Sequence, residues 1–186
     1  MKSQVILIFL MIFVVGLAGC AAPVEETEEV VEAAEEAVQE AEPTPDEQVA
    51  ELDTMCAGAA EAMAARQAES TLFDRVGGRD GIHAVVADTV ARHQVNDTIV
   101  HTMEGVDAEH LIAQVTEFLV GATGGEGEYA GRNMVDAHAH MGLANVHFLA
   151  AGGDLGAAMD AAGWGEDEKQ ELLCAFVGLR SQVVTQ

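Results

Sequence analysis

Positive charge is scarce in this chain of 186 residues. It contains 8 Lys and Arg residues against 32 Asp and Glu residues, for a formal net charge of -24. Nucleic acids bind basic surfaces, and anionic membranes attract segments rich in Lys and Arg. The composition therefore argues against nucleic acid as a partner and against electrostatic docking on an anionic membrane. The length predicts one domain with appendages.

Runs of alternating apolar and polar residues, which mark half-buried strands, are also missing. Apolar residues recur instead at helical spacing, and glycine pairs separate the helical segments. Asp107 is placed to cap one of these helices at its N-terminus. The sequence predicts an all-α domain that begins near Thr71, with helices over residues 81–95, 107–123, 146–162 and 166–184 and one more around His138.

The amino terminus lacks an apolar run long enough for a spanning helix. Residues 5–17 are apolar but fall short of the roughly 20 residues that a bilayer requires. Met1-Lys2 precedes this run, and Leu17-Ala-Gly-Cys20 follows it. These residues resemble a bacterial lipoprotein signal peptide, which implies a lipid on Cys20 and a periplasmic or cell-surface location. An uncleaved anchor is the alternative.

No Lys or Arg occurs between Pro23 and Asp53, a segment rich in Glu and Ala. Its carboxylates repel one another, and it has too little apolar surface for a core, so we expect a disordered or loosely helical tether. Helical spacing then extends from Leu52 to Glu69. The predicted organisation is a signal peptide (residues 1–19), an acidic tether (20–53), a leading helix (54–70) and the main domain (71–186).

Cysteine is limited to three residues. With Cys20 assigned to the lipid, Cys56 and Cys174 remain. Outside the cytoplasm such a pair can form a disulfide, which would join the leading helix to the last helix of the domain. Two buried free thiols are the alternative.

Three of the seven histidines lie in or just after the segment Asn133–Leu143. On a helix, Met134, His138 and Met141 would share one face. One imidazole between flexible apolar side chains suits a haem iron, so we predict that His138 is an axial ligand. The Asp-x-His-x-His pattern of amidohydrolases is a rival, but it needs a strand and a barrel of roughly 250 residues. An ordinary helix histidine is the other alternative.

Residues 71–184 resemble the group 1 truncated haemoglobins, the two-over-two globins. The resemblance is carried by Leu72-Phe-Asp-Arg-Val-Gly-Gly78, by the helix that ends at Gly124-Gly125, and by the Tyr129-Ala-Gly-Arg132 segment with its spacing to His138. It implies a truncated globin fold that holds haem b, with His138 as the proximal ligand. It also implies reversible binding of oxygen, nitric oxide or carbon monoxide.

The chain departs from the family pattern on the distal side. Val90 stands where a tyrosine is expected, Met103 stands where a phenylalanine packs on the porphyrin, and Gln114 is the only distal amide. Arg132 is a candidate partner of a haem propionate. The expected cofactor contacts are Val90, Met103, Leu111, Gln114, Val115, Phe118, Arg132, Met134 and Met141.

An apolar distal pocket has a consequence for the choice of gas. Oxygen gains more from a hydrogen-bond donor than nitric oxide or carbon monoxide does, so we expect weaker oxygen binding unless Gln114 reaches the ligand. Turnover as a nitric oxide dioxygenase would need a separate reductase. The alternative function is a haem-free structural or interaction lipoprotein with a globin-like fold.

Overall fold

The structure is a computed structural model that describes residues 42–186. The expected signal peptide, the lipidated Cys20 and the tether as far as residue 41 lie outside the described residues. No strand occurs from residue 42 onward, as the sequence predicts. The helices are α1 (Pro45–Glu69), α2 (Leu72–Arg75), α3 (Gly78–His93), a 3₁₀ helix (Val100–Met103), α4 (Ala108–Ala122), α5 (Met134–His138), α6 (Asn145–Ala161), α7 (Glu166–Gly178) and α8 (Arg180–Val183).

Within the same range, none of the helices is both long enough and apolar enough to cross a membrane.

Helix α1 begins earlier than the sequence predicts. The Thr44 hydroxyl accepts a hydrogen bond from the Glu47 amide at 3.3 Å, and the Glu47 carboxylate accepts one from the Thr44 amide at 2.8 Å. This reciprocal capping box, with Pro45 in the first helical position, starts the helix. Residues 45–53, expected to belong to the tether, are therefore helical, and Val49 among them is buried.

The main core lies between two helix pairs. Helix α3 packs against α4 and α6, and α6 packs against α7. The apolar face predicted for α3 points inward, because Ile82, Val85, Val86 and Val90 are all buried. Each such side chain contributes about 1.5–3 kcal/mol to folding when removed from water. The other contributors to this core include Val120, Leu155, Ala158, Met159 and Leu172.

A disulfide joins α1 to α7. Cys56 and Cys174 are 118 positions apart in the chain and are bonded to each other. This confirms the predicted bridge and excludes the two free thiols. A smaller apolar cluster next to it holds Val49, Phe148 and Val177 together. The leading helix is therefore an integral part of the folded unit.

A buried carboxylate forms the second link between α1 and α7. Glu171 is only 8% exposed. It accepts a hydrogen bond from Arg66 Nε at 2.6 Å and another from the Arg75 guanidinium. Burial lowers the pKa of Arg75, but hydrogen bonds to Glu168 and Glu171 outweigh it, so the pKa of this guanidinium is raised. The pairing of Glu171 with two cations offsets the cost of removing its charge from water.

Candidate functional site

Helix α5 carries His138 and is only five residues long. The Asn133 side chain caps its start by accepting a hydrogen bond from the Asp136 amide at 2.9 Å. The helix ends at His138, so the prediction that Met141 lies on the same helical face is wrong. After His138 the chain makes a turn in which the Met141 amide donates to the His138 carbonyl, and Gly142 then adopts a positive φ of 59°. Met134 remains one turn before His138.

The imidazole of His138 is held in one tautomer. Its Nδ1 lies 2.8 Å from the carbonyl oxygen of Met134. A carbonyl oxygen can only accept, so Nδ1 carries the proton and Nε2 carries a free lone pair. This is the arrangement in which a backbone carbonyl orients a metal-ligating histidine. The ring is half-buried, whereas His140 is exposed. His138 is thus prepared to donate one nitrogen to a metal.

Apolar side chains of α4 and the 3₁₀ helix are the distal contacts expected from the sequence. Leu111, Val115 and Met103 are partly buried, and each packs against the main core. Val90 of α3 lies in that core and is 5% exposed. Leu111, Val115 and Met103 are only partly covered, so they supply apolar surface beyond what the core uses, whereas Val90 is enclosed in the core.

Gln114 of α4 carries a buried polar atom. Its Oε1 is inaccessible to solvent and has no hydrogen-bond partner among the described residues. An unpaired buried polar group costs about 1–3 kcal/mol, and native proteins keep few of them. Gln114 is the only amide among the expected distal contacts, and the structure buries the end of that amide.

Phe118 of α4 packs against Tyr129 of the following loop. Their rings meet edge to face, with centroids 5.4 Å apart. The Tyr129 hydroxyl donates a hydrogen bond to the Arg132 carbonyl. Gly131 lies so close to the Tyr129 ring that a Cβ would overlap it. Tyr129 is not among the cofactor contacts expected from the sequence. The signal was present as an aromatic residue followed, two positions later, by glycine.

Arg132 differs from the other cations of residues 42–186. Its guanidinium is exposed and makes a long contact of 3.5 Å with the Asp136 carbonyl, but within this range it has no carboxylate partner. The remaining Lys and Arg side chains of the range all form ion pairs: Arg66, Arg75, Arg79, Arg92, Lys169 and Arg180. In a chain with such an excess of acid, Arg132 is available for an anion near α5.

The other histidines do not assemble into a metal cluster. His93 contacts Asp154 at 2.8 Å, and the His101 and His147 rings meet at 5.6 Å between centroids. His147 Nδ1 accepts a hydrogen bond from the Ala144 amide, which uses that nitrogen at the start of α6. No group of three or more His, Cys, Asp or Glu side chains in the described range could hold a metal ion. The site therefore offers a single imidazole.

A truncated hemoglobin from Tetrahymena pyriformis, solved in the Fe(III) form, is 27% identical, covers 63% of this chain and 100% of its own, and gives a TM-score of 0.57. A 2/2 hemoglobin from a Synechococcus species, solved in the cyanomet state with covalently attached heme, is 21% identical and covers 61% of this chain and 94% of its own. Its TM-score is 0.55, and at this low identity the likeness supports the fold alone.

These structural matches confirm the predicted truncated globin fold. A comparison with curated proteins returns no match. The family model described as "Bacterial-like globin" matches residues 71–185, which is most of the chain. The chain therefore belongs to the bacterial-like globin family.

Proposed function

We propose that this protein holds haem b through His138 and reversibly binds a diatomic gas, namely oxygen, nitric oxide or carbon monoxide. The observation that carries the proposal is the hydrogen bond from His138 Nδ1 to the Met134 carbonyl, which leaves Nε2 free for iron. A structure 27% identical to this chain is that of a truncated hemoglobin in the Fe(III) form.

The residues fit this cofactor in three respects. A porphyrin is flat and apolar, and Leu111, Val115 and Met103 have apolar surface that the core does not cover. Its propionates are anionic, and Arg132 is a cation without a carboxylate partner in the described range. Its iron needs an axial nitrogen, which His138 supplies. Haem, when bound, would supply the iron at which the gas is held.

Gln114 is the side chain that would decide between gases. A half-turn of the Gln114 amide would exchange its oxygen and nitrogen, so that an N–H donor would occupy the buried position of Oε1. Val90, Leu111 and Val115 offer no donor. Among these expected distal contacts, Gln114 would therefore be the one group able to favour oxygen.

We also propose that the protein is anchored at the bacterial cell envelope through a lipid on Cys20, on the periplasmic side or at the cell surface. The Cys56–Cys174 disulfide supports this location, because disulfides persist mainly outside the reducing cytoplasm. Nitric oxide dioxygenase turnover would require a separate reductase as a partner.

The test is an absorption spectrum of the purified full-length protein after addition of haem. The wild type should show a Soret band, and addition of carbon monoxide to the reduced form should shift it. His138→Ala should lose or weaken the band because the axial nitrogen is gone.

His140→Ala is the matched control, since it removes an exposed imidazole only two residues away. Its spectrum should equal that of the wild type. A Soret band that survives unchanged in His138→Ala would refute the assignment of the ligand.

A further inference from the structure

The loop that follows His138 is held from two directions. Its Leu143 carbonyl accepts hydrogen bonds from the amides of Thr185 and Gln186 at 2.9 and 3.2 Å. At its end, Asn145 Nδ2 donates to Asp46 Oδ1 at 2.7 Å. Asp46 lies in the first turn of α1, 99 positions away in the chain. The chain end and the leading helix thus both hold the segment between His138 and α6.

Arg180 strengthens the second of these contacts. Its guanidinium donates to Asn145 Oδ1 at 3.4 Å and to Asp53 Oδ2 at 3.2 Å. Helix α8, which begins at Arg180, also packs against α5. The position of the His138 helix is therefore connected to α1 through Arg180 and Asn145.

The contact between Asp46 and Asn145 is exposed, and exposed polar contacts contribute little when their partners move freely. It depends on α1 being already docked, because a docked helix presents Asp46 at a high effective concentration. The docking comes from the Cys56–Cys174 bond and from the burial of Val49 against Phe148 and Val177. On the same helix, Cys56 lies about two helical turns from Val49 and about three from Asp46.

We propose that α1 is a clamp on the proximal side of the haem site, and that the Cys56–Cys174 disulfide keeps this clamp closed. The inference rests on the proposed haem binding and adds a means of regulating it. A dithiol reductant would donate two electrons and two protons. The S–S bond breaks, the two cysteines become thiols, and the dithiol is oxidised to its own disulfide. Both cysteines are half-buried rather than sealed in the core, so a reductant has access.

The experiment measures the rate at which the ferric full-length protein loses haem to excess apomyoglobin, followed by the change in the Soret band. Treatment with dithiothreitol should accelerate haem loss about fivefold or more, which is the low end of coupling between distant sites. The double variant Cys56→Ser/Cys174→Ser should lose haem at the fast rate without treatment. Dithiothreitol should not change its rate further, which controls for direct effects of the reductant on haem.

A second pair of variants leaves the disulfide intact. Asp46→Ala removes only the hold on Asn145 and should accelerate haem loss by a smaller factor. Glu51→Ala, which removes an exposed carboxylate from the same helix, should leave the rate unchanged. Equal rates for the oxidised protein, the reduced protein and Asp46→Ala would overturn the clamp, even if the reduced protein is less stable.

Failure of the proposed function is distinguishable from failure of the clamp. If the oxidised wild type takes up no haem, hydrogen exchange of the haem-free protein still tests the coupling. Reduction should then accelerate amide exchange across residues 139–147. Unchanged exchange there, with faster exchange confined to α1, would overturn the inference.

Discussion

Two sides of the described domain differ in how they are held. On the fastened side, formed by α1, α2 and α7, the carboxylate Glu171 is 8% exposed and the disulfide lies next to it. On the open side, formed by α4, α5 and the chain between them, the aliphatic Val135 is 52% exposed. Charged groups are usually outside and aliphatic groups inside, so this order is reversed. Covalent and ionic links thus hold the first side together, whereas the second side leaves apolar surface uncovered.

The largest test of this difference removes the disulfide. Cys56→Ser/Cys174→Ser should lower the free energy of unfolding by about 4 kcal/mol, because the bond closes a long loop in the unfolded chain. Urea unfolding of the haem-free protein with and without the two substitutions gives the value. A matched change on the open side, Val135→Ala, should cost little, since its side chain is already half in solvent. Similar losses for both would remove the distinction between the two sides.

The next test breaks the buried carboxylate cluster. Glu171→Ala should lower the free energy of unfolding by roughly 2 kcal/mol, since two arginines lose their shared partner, with a discount for their partial exposure. Asp167→Ala is the control, because Asp167 pairs with Arg66 while its side chain is 64% exposed. Thermal unfolding of both variants should show a clear loss for the first and little change for the second. The reverse order would contradict the role given to Glu171.

The open side should respond in ligand kinetics rather than in stability. Gln114→Ala should speed oxygen release about fivefold, which corresponds to the loss of a hydrogen bond worth ~1 kcal/mol. Its stability should change less than that of Glu171→Ala, because the Gln114 Oε1 has no partner to lose in the described residues. Stopped-flow release of oxygen is the measurement. An unchanged off-rate would mean that Gln114 does not reach the ligand.

The smallest effect is expected at the start of α1. Hydrogen bonds from the Thr44 amide and then from its hydroxyl hold the pKa of the Glu47 carboxyl below its ordinary value. A carboxyl whose pKa is lowered on folding stabilises the fold above its unfolded pKa, and this contribution is lost as the pH falls through the folded pKa. Glu47→Ala should therefore lower the melting temperature slightly at neutral pH and leave it unchanged in acid. A difference that grows in acid would contradict this sign.

Much of the fold could be predicted from the sequence because the signals are local. Asp107 caps α4 as expected, with its side chain accepting from the His110 amide, and Gly124 takes a positive φ of 102° after that helix. The residues around His138 in the sequence mark it as the candidate ligand, and one of them, Met134, orients its ring through a backbone carbonyl. The start of α1 was missed because the Thr44–Glu47 capping box lies within an acidic run that otherwise predicts a tether.

Other features depend on contacts between distant residues. The burial of Glu171 requires Arg66 and Arg75 from two other helices, and no local pattern marks it. Helical spacing alone does not reveal that α5 ends at His138 or that Gly142 adopts a positive φ soon after it. Arg132 could be suggested as an anion partner from sequence, but only the pairing of the other cations within the described range distinguishes it.

The shortness of α5 has a consequence for where a protease would cut the protein. Five residues are too few to form a stable helix in isolation, so the His138 segment depends on whatever it touches for its order. Segments of this kind are the first places where a protease can enter a folded chain. We therefore expect limited proteolysis to cut the chain first around His138.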